Sequence, residues 1–591
     1  MRFPAVVGVV TNNQAHTVVT NNQAHCCHQQ PSTLLSPITK HTAYSVSVGD
    51  NTNTGGEPNY FNPISKSQTM KNIRYILLLP LALGIASCEE FLKEEPESFL
   101  SEDQYYKTQN DAVNAVNSVY FFLNSGGNNI QTPYNTLFNT GMNMAGDDED
   151  PGPGATNADV RSLSVLAHSS SNLRIYEIWQ QHYAAVKKAN VAIEKIPAIS
   201  FDNALKERLI GEVKFLRALY YFNLVRLYGD IPLITEYQKF VNAADYEIEK
   251  SPSTAVYAQI EKDLTEAAAA LPATYTSPNV GRATSGAAKA LLAKVYLTKA
   301  SYPLNIASHY QDAVKKAEEV LSATDGGTGA YGYDLVSNYA EVFLPAFKNN
   351  KEHIFSAQFK SNSLNQGNNE YPRAILSGIP GLNGNYAHMV RFYTVGSDKF
   401  FSIYKLFKPG DKRRDVTFVR SFTSPNNGKK YALPIANSTI PGDSTPFWNK
   451  WQDPASASVT NQSAANVPIL RYAELLLIHA EAENEANGPT AKAYKSLNRV
   501  RSRAGLPALT TGLTKEQFRD SVYLDRRLEL TYEYQRWFDL IRQKDATGKP
   551  SFVANLHKVG KTNAAEKHRL YPLPQSEIDN NKLLVQNPGW E

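Results

Sequence analysis

Cysteine is scarce: three residues in 591. Two of them, Cys26 and Cys27, are adjacent and beside His28, and they lack the spaced pairs of a zinc site. Disulfides are therefore not what stabilises a chain of this length. An excess of one charge is also missing. Sixty Lys and Arg stand against 56 Asp and Glu, a formal +4, and with no long basic run nothing points to nucleic acid. No apolar run reaches the roughly 20 residues of a membrane-spanning helix. Signatures of catalysis are absent as well. GTGAYG at 327–332 fits a dinucleotide-type glycine pattern, but it follows a helix and no βαβ unit surrounds it. HAEAE at 479–483 is not H-E-x-x-H, and there is no G-x-S-x-G elbow.

The third cysteine has a context. Met70 is followed by Lys71 and Arg74, then by about ten mostly Leu, Ile and Ala residues, and the run closes on Ile85-Ala86-Ser87-Cys88. A cationic flank, a short apolar stretch and a small-residue site followed by Cys form a bacterial lipoprotein signal. Cys88 is then the lipidated N-terminus of the mature protein. More than one acyl chain there anchors the chain stably without a spanning helix. A signal peptide over 70–87 makes Met70 the expected start. Residues 1–69, with VVTNNQAH twice and no apolar periodicity, read as an extension without ordered structure. A disordered leader and a Cys/His metal site are the alternatives.

About 500 residues remain after Cys88, enough for a large core. Amphipathic helices are expected in pairs over 172–196 and 204–228, then 252–271, 286–300 and 308–322, then 468–486 and 490–504. In the second of these, Leu209, Val213, Leu216, Tyr220, Leu224 and Leu227 form one apolar stripe. Thr514 to Gln517 is a capping-box pattern opening a helix to about Lys544. Within it Arg526, Glu529, Glu533, Arg536, Asp539 and Arg542 step by three or four. The expectation is an exposed charge ladder whose pairs contribute about 0.3–0.5 kcal/mol each. Between 324 and 466 the helical period fades, Gly, Pro, Asn and Ser rise, and short β-like pieces appear, EHIFSAQF and RDVTFVRSF among them. This is a helical scaffold, mainly 100–323 and 467–545, carrying a loop-rich insertion at 324–466. The large–small alternation of its helix pairs is that of degenerate tetratricopeptide repeats.

Five stretches resemble one family in order: GEVKFLRALYYFNLVRLYGDIPL (211–233), GRATSGAAKALLAKVYL (281–297), PILRYAELLLIHAEAEN (468–484), DRRLELTYEYQRWFDLIR (525–542) and YPLPQSEIDNNKLLVQNPGW (571–590). They are similar to the SusD/RagB family over essentially all of 88–591. DRRLEL and EYQRW stand where the family more often has Glu-Arg and Glu-Gly-x-Arg, a departure that touches scaffold packing. The resemblance implies a mainly α SusD-like fold. It also implies a non-enzymatic lipoprotein on the outer-membrane surface that binds a glycan and delivers it to a SusC-like TonB-dependent transporter. Membrane contact would be through the lipid alone, and no cofactor is implied. Glu89 and Glu90 fit the acidic tether of such lipoproteins.

No motif carries the ligand residues over, so candidates rest on chemistry: flat aromatic faces for sugar C–H faces, and amides, carboxylates or Arg for hydroxyls. They are Tyr134, Asp147, Asp148 and Arg161 in one loop, Tyr371, Arg373, Asn383, Tyr386 and Tyr393 in another, and Trp448 and Trp451, which core packing explains equally. The acidic run Asp147–Asp150 in GDDEDPGPG reads first as a solvated turn, then as a ligand contact, a calcium loop, and last as a glycosidase pair. A surface glycoside hydrolase and a lid with no glycan binding of its own are the rival readings.

Overall fold

The computed structural model describes residues 105–124, 131–152, 155–237, 245, 247–360, 388–423, 427–432, 447–451, 453 and 463–591. Cys88 and the segments before it lie outside the described residues. Among the described residues, five long helices build the first half: α1 Gln109–Asn124, α2 Leu173–Lys195, α3 Asn203–Tyr228, α4 Ser253–Ala270 and α5 Ser285–Ala300. After α6, His309–Glu318, the helices resume with α7 Tyr472–Asn487, α8 Ala491–Arg503, α9 Lys515–Glu529 and α10 Arg536–Arg542. Each of α2 to α7 packs on its successor, and α7 carries both α8 and α9. None of these helices is long and apolar enough to cross a membrane.

Local chemistry sets most of the boundaries. Asn172, Asp202, Thr284 and Thr490 accept backbone N–H bonds as N-caps of α2, α3, α5 and α8, and Thr514 with Gln517 forms the expected capping box. The apolar stripe of α3 is entirely inaccessible. Each fully buried aliphatic there contributes roughly 1.5–3 kcal/mol. Gly229 ends α3 at φ 73°, and a Cβ at that position would stand 2.9 Å from Leu570 Cδ1.

The strands are short and mostly in the insertion. β1 (Glu149–Pro151) pairs antiparallel with β3 (His388–Val390), placing Glu149 opposite Val390. β2 (His353–Ala357) pairs with β10 (Val467–Arg471), and β4 (Tyr393–Val395) with β5 (Asp398–Phe401). β6 (Phe418–Val419) pairs with β9 (Phe447–Trp448), and β7 (Ser421–Thr423) with β8 (Lys430–Ala432).

Several expectations are corrected. Residues 467–471 are strand rather than helix, because they complete the β2 ladder beneath α5. RDVTFVRSF is half helical: Asp411 caps a short helix, Lys412–Thr417, ahead of β6. The helix over 308–322 stops at Glu318. The last helix does not run to Lys544. It ends at Glu529, Tyr532 and Tyr534 take positive φ (65° and 62°), and α10 restarts at Arg536.

That break turns the charge ladder inward. Arg526, Glu529, Glu533, Asp539 and Arg542 are buried and Arg536 half-buried. Arg471 at the end of β10 donates to Glu352 (2.8 Å), Glu529 (2.6 Å) and Glu533 (2.7 Å). Arg503 joins Glu352 (3.0 Å) and Glu529, while Arg413 joins Asp411 (2.7 Å) and Asp525 (3.2 Å). Burial raises the Glu529 carboxyl, but Arg503, Arg471 and Arg413 override it and pull it down to about 2. On the other side of the break Arg526 bridges Glu474 and Asp539, both at 2.8 Å.

The C-terminal segment closes the molecule over α3. Tyr571 N–H donates to Leu227 O at 2.7 Å, Asn587 Nδ2 to Tyr228 O at 2.8 Å, and Trp590 packs against His168.

Candidate functional site

The acidic run lies not in a solvated turn but in the floor of the loop-rich face. Residues 133–145 wind through three short helical turns before β1, and Asp147, Asp148 and Glu149 emerge 2%, 7% and 2% exposed. Four cationic side chains, an amide and an imidazole surround the carboxylates of Asp147 to Asp150. Arg536 donates to Asp147 through Nε (2.8 Å) and Nη2 (2.7 Å), with Arg527 Nη2 at 3.0 Å. Arg527 Nε donates to Asp148 at 3.1 Å. Glu149 accepts from Asn139 Nδ2 (2.9 Å) and lies 2.6 Å from His388 Nδ1. Asp150 accepts from Arg391 (2.7 Å), with Lys561 at 3.6 Å.

The electrostatics follow. Burial acts against the Asp147 carboxylate, but Arg527 and Arg536 hold it well below the usual range. Burial and the neighbouring Asp147 push Asp148 up against the pull of Arg527, and burial raises Glu149. Burial lowers the Lys561 ammonium to about 8. Among the described residues no group of three or more His, Cys, Asp or Glu is arranged to hold a metal ion.

The other candidates divide. Tyr134 is a core residue, 4% exposed, receiving Asn223 Nδ2 at 3.1 Å and meeting Phe138 edge-on at 5.1 Å. Trp448 is likewise inside: it stacks on Tyr532 at 4.4 Å with the rings 2° apart, and on Phe418 at 5.2 Å. Trp451 is fully buried and donates Nε1 to Tyr532 O. Arg161 is exposed on a short helix, Ala158–Ser164, with Nη2 3.4 Å from Gly152 O. The structure does bring Asp148 and Trp448 together, on a cavity of about 10 Å³ shared with Asn143 and Tyr532, enough for one water. Tyr371, Arg373, Asn383 and Tyr386 lie outside the described residues.

Tyr393 remains at the open edge. It is half-buried on β4, its ring 5.4 Å from Phe401 across the hairpin, and Val395 beyond it is 40% exposed. Arg527, Asp148 and Asp147 all act on its phenol, which burial raises, so the clamp lies close beneath it. Segments 361–387 and 433–446 rejoin the described chain at β3 and β9. The residues missed from sequence are the clamp itself, Arg391, Arg527 and Arg536, with the Tyr532 platform. Their signal was available: 525–542 holds four arginines, four acids and no lysine, and arginine is the usual partner in buried ion pairs.

Carboxylates saturated by guanidinium are poor proton shuttles. What this face presents is aromatic surface over an ordered layer of donors, which suits binding rather than bond cleavage.

Two family descriptions match the chain in succession: "Starch-binding associating with outer membrane" over residues 90–297, and "SusD family" over 351–590. SusD-like protein P2 of Formosa agariphila is 27% identical over 529 residues, spanning 87% of this chain and 99% of that one. Starch-binding protein SusD of Bacteroides thetaiotaomicron is 24% identical over 502 residues, 78% of this chain and 86% of that one. Among solved structures, a SusD superfamily protein from Parabacteroides distasonis superposes with TM-score 0.65 at 28% identity, covering 81% of this chain and 99% of that one. A laminarin-binding SusD-like protein superposes with TM-score 0.66 at 28% identity, covering 82% and 100%.

Proposed function

Since this chain belongs to the SusD/RagB family, matched in order along most of its length, we propose that it is a surface glycan-binding lipoprotein. In this reading it binds oligosaccharide at its loop-rich face and hands it to a SusC-like TonB-dependent transporter. The observation that carries the reading is the arginine clamp. With Asp147, Asp148 and Asp150 tied to Arg536, Arg527 and Arg391 and Glu149 buried against Asn139 and His388, the acidic run offers no two free carboxylates to flank a glycosidic bond, and the rim above it offers Tyr393 and Phe401 as stacking surfaces. The full-length similarity to a laminarin-binding protein supports a glycan as ligand. Lipidation at Cys88 confines the protein to the membrane plane, and confinement raises the effective concentration of a membrane partner enough for a modest interface to suffice.

Affinity electrophoresis of residues 89–591 through gels containing laminarin, starch or other polysaccharides tests the binding. Retardation by at least one glycan, with no reducing ends released, is the expected result. Released reducing ends would establish the hydrolase instead, and no retardation by any glycan would favour a bare lid. Replacing Cys88 with Ala tests the anchor: cells should lose surface-bound protein and glycan uptake, while the purified variant keeps its glycan affinity.

A further inference from the structure

Two clefts open where the first part of the insertion packs on the helices, away from the acidic run, and Lys351 lines both. The smaller, about 200 Å³, lies between the α4–α5 connection, the 331–333 turn and β2. Its wall carries Tyr275, Tyr331 and Tyr333, with Arg282, Asn349 and Asn350 among them. Tyr331 and Tyr333 are half-buried and stacked, 5.9 Å apart and 22° from parallel. They lie so close on the first turn of α5 that a Cβ at Gly286 would fall 2.9 Å from Tyr331 and 2.8 Å from Tyr333. Val280 is 48% exposed at this cleft, and the Ser356 hydroxyl is buried there with no hydrogen-bond partner.

The larger cleft, about 420 Å³, falls within the usual range for small-molecule sites. Lys351, Lys412, Arg499 and Arg503 line it, against the single carboxylate of Glu341. Buried Asp325, Glu352 and Glu529 and the partly exposed Asp334 hold three of these cations in place. Arg499 is fixed between Asp325 (2.7 Å) and Asp334 (2.6 Å), Lys351 donates to Asp334 (2.9 Å), and Arg503 is held by Glu352 and Glu529. Arg503 is 8% exposed and its Nε has no acceptor. Lys412 is exposed and makes no ion pair with any described residue. Aromatic faces suit the C–H face of a sugar ring, and preset guanidinium and ammonium donors suit an oxyanion.

We propose that the joined clefts are a second carbohydrate site, one that takes an acidic oligosaccharide bearing uronate or sulfate groups. Its apolar sugar faces lie along Tyr331 and Tyr275, and its anionic groups reach Lys351, Arg499 and Lys412. The inference rests on the glycan-binding reading but uses none of the residues of the loop-rich face.

Hydrogen exchange on the full chain tests it, with hexagalacturonate, a sulfated carrageenan hexamer and neutral laminarihexaose as probes, each also titrated calorimetrically. One or both charged hexamers should slow exchange over Tyr331–Ser356 and Arg499–Arg503, and the pair separates uronate from sulfate. Lys412→Glu should weaken that binding about tenfold, and Tyr331→Ala should weaken it with the fold intact by circular dichroism. The proposal is overturned if neither charged hexamer protects these segments, if Lys412→Glu leaves affinity unchanged, or if laminarihexaose protects them equally. Retention of a neutral glycan without charged binding would sink this inference and leave the proposed function standing. Charged binding here with no other glycan retained would do the reverse at the loop-rich face.

Discussion

The seam between α3, α4 and α5 and the seam where α9 breaks into α10 are both dry, but they are held by opposite means. In the first, Leu216, Leu224, Ile260, Leu264 and Leu291 meet with almost no exposure, and the salt bridge Arg217–Asp263 (2.7 Å) stands among them. In the second, Arg471, Arg503, Arg413 and Lys450 are buried among Glu352, Glu529, Glu533, Asp525 and Asp411. Apolar burial is non-directional and tolerates repacking. A buried ion cluster is adequate only while every member has its partner. The first seam should therefore absorb substitutions by repacking, whereas the second should fail when any one member is lost.

Removing one guanidinium separates the two most sharply. Arg471→Met removes the guanidinium shared by Glu352, Glu529 and Glu533, leaving them only Arg503, Arg413 and Lys450, and breaking a buried pair costs about 3–5 kcal/mol. Urea unfolding should show that loss, and a change near zero would mean the cluster is hydrated. Leu291→Ala in the apolar seam should cost about 2–5 kcal/mol, with a denaturant slope unchanged from wild type.

Acid should attack only the ionic seam. Glu529 and Asp539 are held down to about 2 in the folded state, against 4.5 and 3.8 ordinarily. A depressed carboxyl contributes stability that is fully present above its unfolded pKa and lost as pH falls toward the folded one. Stability should therefore drop between about pH 4.5 and 2, by roughly 2–3 kcal/mol for each group. Glu529→Gln should flatten that slope, and an unaltered slope would assign the acid transition elsewhere. The smallest effect belongs to the surface. Lys492→Ala removes a pair with Glu318 from a side chain 60% exposed, and should change stability by less than about 0.5 kcal/mol.

The same contrast explains what could be read from the sequence. The apolar seam was legible because 3.6-residue periodicity and caps are local: Leu209 to Leu227 and the Thr514–Gln517 capping box sit where the pattern puts them. The ionic seam was not. Arg526, Glu529 and Glu533 at spacings of three and four look like any solvated helix face, and nothing local announces that Tyr532 and Tyr534 adopt positive φ. What turns them inward is distant in sequence: Arg471 arrives on β10, Glu352 in the turn just ahead of β2, and Asp147 from near the start of the fold. The acidic run was misread for the same reason, since the arginines that bury it lie 241 to 389 positions away. Tyr393 and Trp448 look alike in sequence, each an aromatic in a polar, loop-rich stretch; the structure leaves Tyr393 half-buried on a hairpin and puts Trp448 in the core.

The closure of the C-terminal segment over α3 has a consequence in time. Leu227 and Tyr228 find their partners in Tyr571 and Asn587, more than 300 residues later, so a chain emerging from the ribosome has nearly all its helices long before it has the piece that seals them. Pairings of such sequence separation form late and slowly. Until then the lower end of α3, among the most buried surfaces of the finished protein, stands open. A nascent chain in that state is unfinished by construction, and suited to being threaded or held by a chaperone until its last residues are made.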